Sequence, residues 1–200
     1  MSAWPSSPAP NTAKITPFYP TLVSTSQSLK QQVRSRGGQR WKIELGYQNL
    51  PRASSEAFEA FVMALRGQYN TCTLVVPGAS DAPQGTWPGS PVLNGANQSG
   101  RSILLRGFTA GQTGVAKAGD YVTFAGDLKV YKVVADANSD GSGLATLSIE
   151  PALMITSLAD GAAVTSTNVA FTVAATADTL DFALSPPAFR AFTASFMERV

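Results

Sequence analysis

The chain has 200 residues, of which 44% are hydrophobic, and this is enough apolar material for a sizeable core. Only 14% of the residues are charged and the net charge is +2, so the composition does not favour a nucleic-acid partner. The absence of histidine excludes a Ser-His-Asp triad, a Cys-His pair and most zinc sites, and the single cysteine excludes a disulfide within the chain.

The first twenty residues are rich in proline and serine and predict an extended N-terminal arm over residues 1–20. They lack the apolar core of a secretory signal. We expect Trp4 to anchor this arm on a neighbouring subunit. Residues 14–24 contain two prolines in an apolar stretch, which is typical of an edge strand rather than a central strand.

Two alternating segments flank the Gly37-Gly38 pair. Leu29 and Val33 alternate with polar residues before it, and Trp41 begins a second alternating run after it. This pattern predicts a hairpin with a glycine turn and one buried face. It places three arginines, Arg34, Arg36 and Arg40, near the tip of that hairpin.

One segment has helical spacing. Ser54 or Ser55 is the expected N-cap, two glutamates lie near the start, and Gly67 is the expected stop. Apolar residues fall on one face, which predicts packing against the core; they are Phe58, Phe61, Val62 and Leu65.

Residues 77–100 are dominated by Gly, Pro, Ser and Asn, and we predict a long loop there. Because Trp87, Val92 and Leu93 are poor choices for a solvated linker, we expect the loop to contact another subunit. Tyr69 and Trp87 are also the candidate aromatic platforms if the protein binds a carbohydrate.

The rest of the chain contains short alternating runs separated by Gly, Asn and Asp turns. Strands are predicted at residues 102–108, 121–124, 128–134 and 145–149, with further strands after Pro151 and at the C-terminal end. The pattern favours a mainly β fold, an antiparallel barrel or sandwich with one packed helix. We predict a single domain over residues 21–200 with the loop at 77–100 inserted in it.

The segment "DANSDGSG" begins like a calcium-binding loop, with Asp136, Asn138 and Asp140 at alternate positions. The twelfth position is Leu147 instead of a glutamate, and the flanks alternate like strands. A hairpin connection is therefore the favoured interpretation, with a surface calcium site at these three residues as the alternative. We expect no cofactor and no other metal.

The remaining carboxylates do not indicate catalysis. Glu56 and Glu59 lie where a helix start is predicted, and several aspartates lie in predicted turns. No apolar run approaches the ~20 residues of a membrane span, so we expect no membrane insertion. We predict that the protein is not an enzyme, with a cell-wall-degrading activity as the less favoured alternative.

Three stretches resemble the distal tail and minor tail proteins of long-tailed, siphovirus-type bacteriophages. The first begins with "GGQRWKIELGYQNLPRASSEAFEAFVMALRG" and runs into the next strand, the second is "KAGDYVTFAGDLKVYKVVADANSDGSGLATLSIEPAL", and the third is the ending "FRAFTASFMERV".

The resemblance implies a β-barrel of the tail-tube lineage in the tail tip or baseplate of a virion, made in the cytoplasm of the host bacterium. It implies a ring, expected to be a hexamer, that joins the tail-tube protein to the hub and receptor-binding proteins. The alternative is a carbohydrate-binding module that contacts the host surface. The residues predicted at subunit interfaces are Trp4, Phe18, Tyr19, Arg34, Arg36, Arg40, Trp87, Val92 and Leu93.

Overall fold

The structure, a computed structural model, describes residues 2–185 and 189–200. This described part is mainly β and contains one helix, which confirms the predicted fold class. The elements before the long predicted loop are β1 (Ser2–Ala3), β2 (Thr12–Phe18), β3 (Thr21–Thr25), β4 (Gln31–Ser35), β5 (Arg40–Pro51), α1 (Arg52–Leu65) and β6 (Cys72–Val75). The later elements are β7 (Gly89–Leu93), β8 (Ser102–Phe108), β9 (Tyr121–Phe124), β10 (Tyr131–Val133), β11 (Ala145–Glu150), β12 (Val164–Thr165), β13 (Ala170–Ala175), β14 (Ala183–Ser185) and β15 (Phe189–Glu198).

The chain forms two compact units, whereas the sequence led us to expect one domain over residues 21–200. Unit 1 comprises residues 1–72 and 173–199, and unit 2 comprises residues 73–172 with Val200. Unit 2 is thus an insertion in the sequence of unit 1. The two parts of unit 1 are joined by the long antiparallel pairing of β15 with β5, which no local pattern in the sequence reveals.

The main sheet, to which unit 1 contributes the whole of β1, β2, β5, β14 and β15, follows the order β1-β6-β13-β15-β5-β2, and β14 also pairs with β15. Its two longest strands, β5 and β15, lie side by side, with Phe192 opposite Tyr47 and Phe196 opposite Ile43. Alternate side chains of both strands are buried, as expected for a sheet with one covered face. β2 lies at the end of this order, so the expectation of an edge strand near residues 14–24 is confirmed for Thr12–Phe18.

Aromatic side chains fill the core of unit 1. The rings of Tyr47 and Phe192 are stacked with their centroids 4.7 Å apart, and Phe58 of α1 lies 4.8 Å from Tyr47. Trp4 packs edge-on against Phe196 at 5.0 Å and donates its indole N–H to the Tyr47 hydroxyl at 2.8 Å. Helix α1 is therefore held by its aromatic face, as its sequence predicts.

The helix begins earlier than predicted. Its N-cap is Pro51, which has no side chain to bond the first amides, and the Ser55 hydroxyl donates to the Arg52 carbonyl from within the first turns. The expected serine cap is therefore wrong, because proline suits the entry to a helix and β5 runs directly into it. The end is close to the prediction, since Arg66 adopts a left-handed conformation just before Gly67.

The hairpin predicted around Gly37-Gly38 is wrong. β4 pairs with β3 instead, with Val23 opposite Val33, and β5 pairs with β2 and β15. The run from Trp41 pairs with β15, whose alternate side chains are buried like its own, whereas β4 offers a single apolar side chain, Val33, and buries none of its residues. Tertiary pairing has therefore decided the register, not the nearest turn.

Unit 2 is a six-stranded antiparallel sheet in the order β12-β9-β10-β11-β8-β7. The first and last strands of this order meet, because Val92 of β7 bridges Ala163 and the Leu93 amide donates to the Ala162 carbonyl at 2.9 Å. The result is a nearly closed barrel. β8 and β9 have the predicted bounds, and β10 and β11 form the predicted antiparallel pair across the DANSDGSG segment.

The barrel interior is continuous and apolar. Its buried side chains include Leu93, Ile103, Leu105, Phe124, Leu147 and Ile149. Within the residues that the structure describes, no helix is long and apolar enough to cross a membrane.

Candidate assembly surfaces

An exposed hairpin, residues 21–35, belongs to unit 1, and none of its residues is buried. β3 and β4 form a separate two-stranded sheet, and every one of their residues is exposed to solvent. Val23 and Val33 face each other on one side of the ribbon, and Leu22 lies opposite Arg34 on the other. A two-stranded hairpin in water is marginally stable by itself, and apolar residues on both of its faces indicate surfaces for a partner.

The tip of this hairpin carries an unusual residue. Leu29 is 83% exposed and has a φ of 61°, a left-handed conformation that disfavours a side chain as large as leucine. The turn is fixed by the Leu29 amide, which donates to the Ser26 carbonyl at 2.9 Å, and by the Ser26 amide, which donates to the Lys30 carbonyl at 3.0 Å. The backbone therefore presents an apolar side chain to solvent at a local energetic cost.

The edge of the main sheet in unit 1 is the second candidate surface. β2 pairs only with β5 in the order of the strands, from Thr12 opposite Gly46 to Phe18 opposite Arg40. An edge strand leaves main-chain donors and acceptors available to a strand of another chain. Two lysines flank Glu44 of β5 near this edge: Lys14 of β2 and Lys42 of β5. The Lys42 ammonium lowers the pKa of the Glu44 carboxyl.

A cleft of about 750 Å³ opens in unit 1 between the later part of α1 and residues 175–182. Its apolar lining includes Met63, which is 79% exposed, together with Val62 and Leu180. Clefts of this size commonly bind ligands or protruding side chains. We call this feature the acid-rimmed cleft, because three carboxylates line it.

The three carboxylates of the acid-rimmed cleft have different surroundings. Glu59 is in an ion pair with Arg190, and the Asp178 carboxylate accepts a hydrogen bond from the Gln68 amide at 3.1 Å. Asp181 is exposed. One cation, Arg66, also lines the cleft, so the lining carries an excess of negative charge.

Five of the residues predicted at interfaces come together at the base of the exposed hairpin. Phe18 lies opposite Arg40 in the sheet and Tyr19 follows directly. Arg34 lies near the end of β4, and Arg36 follows that strand. The Arg36 amide donates to the Pro20 carbonyl at 2.9 Å, which closes the base. All five side chains are exposed, so an interface role for them stays a prediction that their surroundings support.

The other predicted interface residues lie inside their own units. Trp4 is 7% exposed within unit 1, and Trp87 and Leu93 are buried in the core of unit 2. Val92 is half-buried in β7, a strand that the sequence analysis placed inside a loop. Their apolar surface is already covered by the same chain, so little of it remains for a partner. The segments 77–88 and 94–100 are turns and irregular structure, as predicted.

Trp87 is held by a buried carboxylate that the sequence analysis did not single out. Asp120 accepts hydrogen bonds from the Trp87 indole at 2.9 Å, the Lys117 amide at 2.9 Å and the Gln84 amide at 2.6 Å. The Gly85 amide donates to it as well, and a Cβ at Gly85 would come within 2.7 Å of Asp120 Oδ2. Asp120 thus fixes the segment before β7, and the nearby "AGD" turn signal gave no indication of this.

Burial of Trp87 also bears on the carbohydrate-binding alternative. An aromatic platform for a sugar must expose a ring face, and the Trp87 ring lies 5.8 Å from Phe108 in the barrel core. Tyr69, the other candidate, is exposed in unit 1. The alternative stays a prediction, and Tyr69 is the residue that it now depends on.

The three residues of the alternative calcium site use their side-chain oxygens for main-chain contacts. Asp136 accepts from the Ala118 amide at 2.9 Å, and Asn138 accepts from the Gly114 amide at 2.7 Å. One oxygen of Asp140 accepts from two amides of its own turn. These bonds explain the residue types by turn formation. Within residues 2–185 and 189–200, no group of three or more His, Cys, Asp or Glu side chains is arranged to hold a metal ion.

Comparison with known protein families supplies the remaining observation. Residues 81–167 match the family described as the distal tail protein pb9, B domain. These residues lie within unit 2, which is therefore similar to a distal-tail-protein B domain. This supports a siphovirus-type distal tail protein and confirms the resemblance inferred from the sequence. The B domain contains the whole barrel sheet from β7 to β12 and the second of the three resembling stretches, while the first and third lie outside it. A comparison with curated proteins found no match.

The B domain comes from a structural protein of the phage tail. The match therefore supports a structural role in a phage tail for this chain, which suggests a component of the virion.

Proposed function

We propose that the protein is a structural subunit of the tail tip that assembles with copies of itself into a ring, expected to be six-fold. The ring connects the tail-tube protein above it to the hub and receptor-binding proteins. The observation that carries the proposal is the exposed hairpin, which has apolar side chains on both faces and buries none of its residues. The B-domain match supports the place of the ring in a phage tail.

The edge strand β2 gives the ring a second contact. A strand of a neighbour can extend the main sheet at β2, because main-chain pairing does not depend on sequence. The low charge of the chain, 14%, suits a surface that is largely covered by other subunits. The proposal places no reaction in the protein, and several carboxylates have structural roles, since Asp120 and Asp127 accept bonds within unit 2.

The test is the mass and symmetry of the purified chain. We expect native mass spectrometry and electron microscopy to show a closed ring. A hairpin-deleted variant tests the cause, because the Pro20 carbonyl and the Arg36 amide are already in contact and two glycines can replace residues 21–35 without stretching the base. This variant should keep the thermal unfolding of the monomer and lose the ring.

A control variant, Gln27→Ala, alters the exposed tip without removing an apolar side chain and should still assemble. A protein that stays monomeric at every concentration, with or without the tail-tube protein, would contradict the proposal. Assembly of the hairpin-deleted variant into the same ring would contradict the role of the hairpin.

A further inference from the structure

We propose that the tip of the exposed hairpin, with Leu29 and Lys30 leading, docks into the acid-rimmed cleft of a second copy of this chain. The inference rests on the proposed ring and names the two surfaces that would meet in it. Both surfaces belong to unit 1, and they are different from each other. A contact between unlike patches is heterologous, which is the kind that closes copies into a ring.

Leu29 has a left-handed backbone conformation that is unfavourable for its side chain. A left-handed leucine at an exposed turn is unfavourable in the isolated chain, where glycine or asparagine would serve better. Burial of the leucine side chain in an apolar cleft would offset that cost. Strain of this kind is typical of contact sites that are preformed for a partner.

The hairpin and the acid-rimmed cleft carry opposite charges. The hairpin carries Lys30 and Arg34, Arg36 follows at its base, and no Asp or Glu occurs anywhere between Ile15 and Ile43. The cleft has the opposite character, since Asp178 and Asp181 line it beside Leu180. A cation that follows an apolar anchor therefore meets an apolar floor with carboxylates at its rim. Such complementarity orients an encounter and disfavours wrong partners.

The size of the hairpin also suits the acid-rimmed cleft. Each strand of the hairpin has five residues, so the ribbon extends about 17 Å from its base. A turn with one protruding leucine is narrow enough for a cleft of about 750 Å³. Met63, an unbranched side chain exposed at the cleft, can adapt its conformation to the incoming leucine.

Cross-linking between two separately substituted proteins tests the contact. Gln27→Cys places a thiol at the tip and keeps the Leu29 side chain, and Thr179→Cys places one at the exposed cleft lining. The native Cys72 is buried, and its pKa is raised to about 11 by that burial, so it does not compete for a maleimide at neutral pH. The two proteins carry tags of different mass and are mixed before a short bis-maleimide is added.

We expect a covalent dimer with one tag of each mass in this mixture. The matched control mixes Gln27→Cys with Ser142→Cys, which places an exposed thiol in the turn of unit 2 and should give none. If rings form and Gln27→Cys gives no dimer with Thr179→Cys, the docking inference is overturned while the ring stands. If the unsubstituted chain forms no oligomer, both the ring and the inference fall.

Two substitutions test the energetics of the same contact. Leu29→Gly relieves the left-handed strain, so the monomer should fold at least as well, while the dissociation constant of the assembly should rise about ten-fold or more. Lys30→Glu should also weaken assembly, and adding Asp181→Lys to it should restore part of the loss. Unchanged assembly of Leu29→Gly, or no recovery in the double variant, would overturn the inference.

Discussion

Asp120 offers the sharpest test of how unit 2 is held together. Its carboxylate is buried and accepts from four donors, the amides of Gln84, Gly85 and Lys117 and the indole of Trp87. Replacement by alanine leaves all four N–H groups without this acceptor. A hydrogen bond to a charged group contributes about 1.5–3 kcal/mol, but the four are not independent, and water entering the vacated space would satisfy some of them.

We therefore expect Asp120→Ala to lower the free energy of unfolding of unit 2 by about 3–5 kcal/mol. For a unit of this size, each kcal/mol shifts the melting temperature by about 4–8 °C, so the shift should exceed about 12 °C. Thermal unfolding measures the total effect. Hydrogen exchange locates it, because the amides of Gln84, Gly85 and Lys117 should lose protection in the native state.

Asp136→Ala is the matched control for this prediction. It removes the same side chain from an exposed position that accepts a single amide bond, from Ala118. Its cost should be about 1 kcal/mol or less. Equal melting temperatures for the two variants would refute the reasoning, since they would show that the carboxylate of Asp120 does not hold the segment before β7.

Three further predictions concern other positions. Gly143→Ala should destabilise unit 2 in thermal unfolding, because its φ is +73° and a Cβ would press on a backbone carbonyl, whereas Gly141→Ala, which meets nothing within 4 Å, should be neutral. Cys72, with its pKa near 11, should resist maleimide at pH 8 until denaturant is added. Arg106 lowers the pKa of the Asp160 carboxyl. The stability that this ion pair adds is therefore present above the ordinary pKa of 3.8 and is lost as the pH falls through the lower pKa of the folded protein. The stability of the Asp160→Asn variant should depend less on pH in this acid range.

Local patterns in the sequence predicted most of unit 2, although β7 was placed inside a loop. Its strands are short, alternate cleanly and are separated by Gly, Asn and Asp turns, so β8 and β9 could be predicted with their bounds. The DANSDGSG connection was predictable from its residue types, since Asp140 accepts from two amides of its own turn. Periodicity works well where neighbours in sequence are also neighbours in the sheet.

Unit 1 could not be predicted in this way. Its longest contact joins β5 to β15, and its edge strand β2 pairs with β5 across the exposed hairpin. Nothing in a local window distinguishes the run from Trp41 as the partner of these strands rather than of β4. The hairpin prediction around Gly37-Gly38 failed because the glycine pair connects two sheets instead of turning one strand onto itself.

The candidate surfaces were predictable in part. The residues singled out from the sequence differ in burial: Phe18, Tyr19 and the arginines are exposed, whereas Trp4 and Trp87 are buried. A tryptophan in a proline-rich segment suggests a contact surface for another protein. In the structure, Trp4 and Trp87 each donate the indole N–H to a buried polar side chain that the sequence does not reveal. The acid-rimmed cleft joins α1 to residues far along the chain, so only the fold could show it.

The insertion of unit 2 within unit 1 has a consequence for biosynthesis. A ribosome completes the whole barrel by residue 172, before it has made β15, the strand that lies between β13 and β5. A nascent chain halted before Phe189 would therefore hold a finished barrel and an aromatic strand, β5, still waiting for its neighbour. Until residues 189–200 have emerged, the edge of β5 that later pairs with β15 can pair with another polypeptide unless a chaperone covers it.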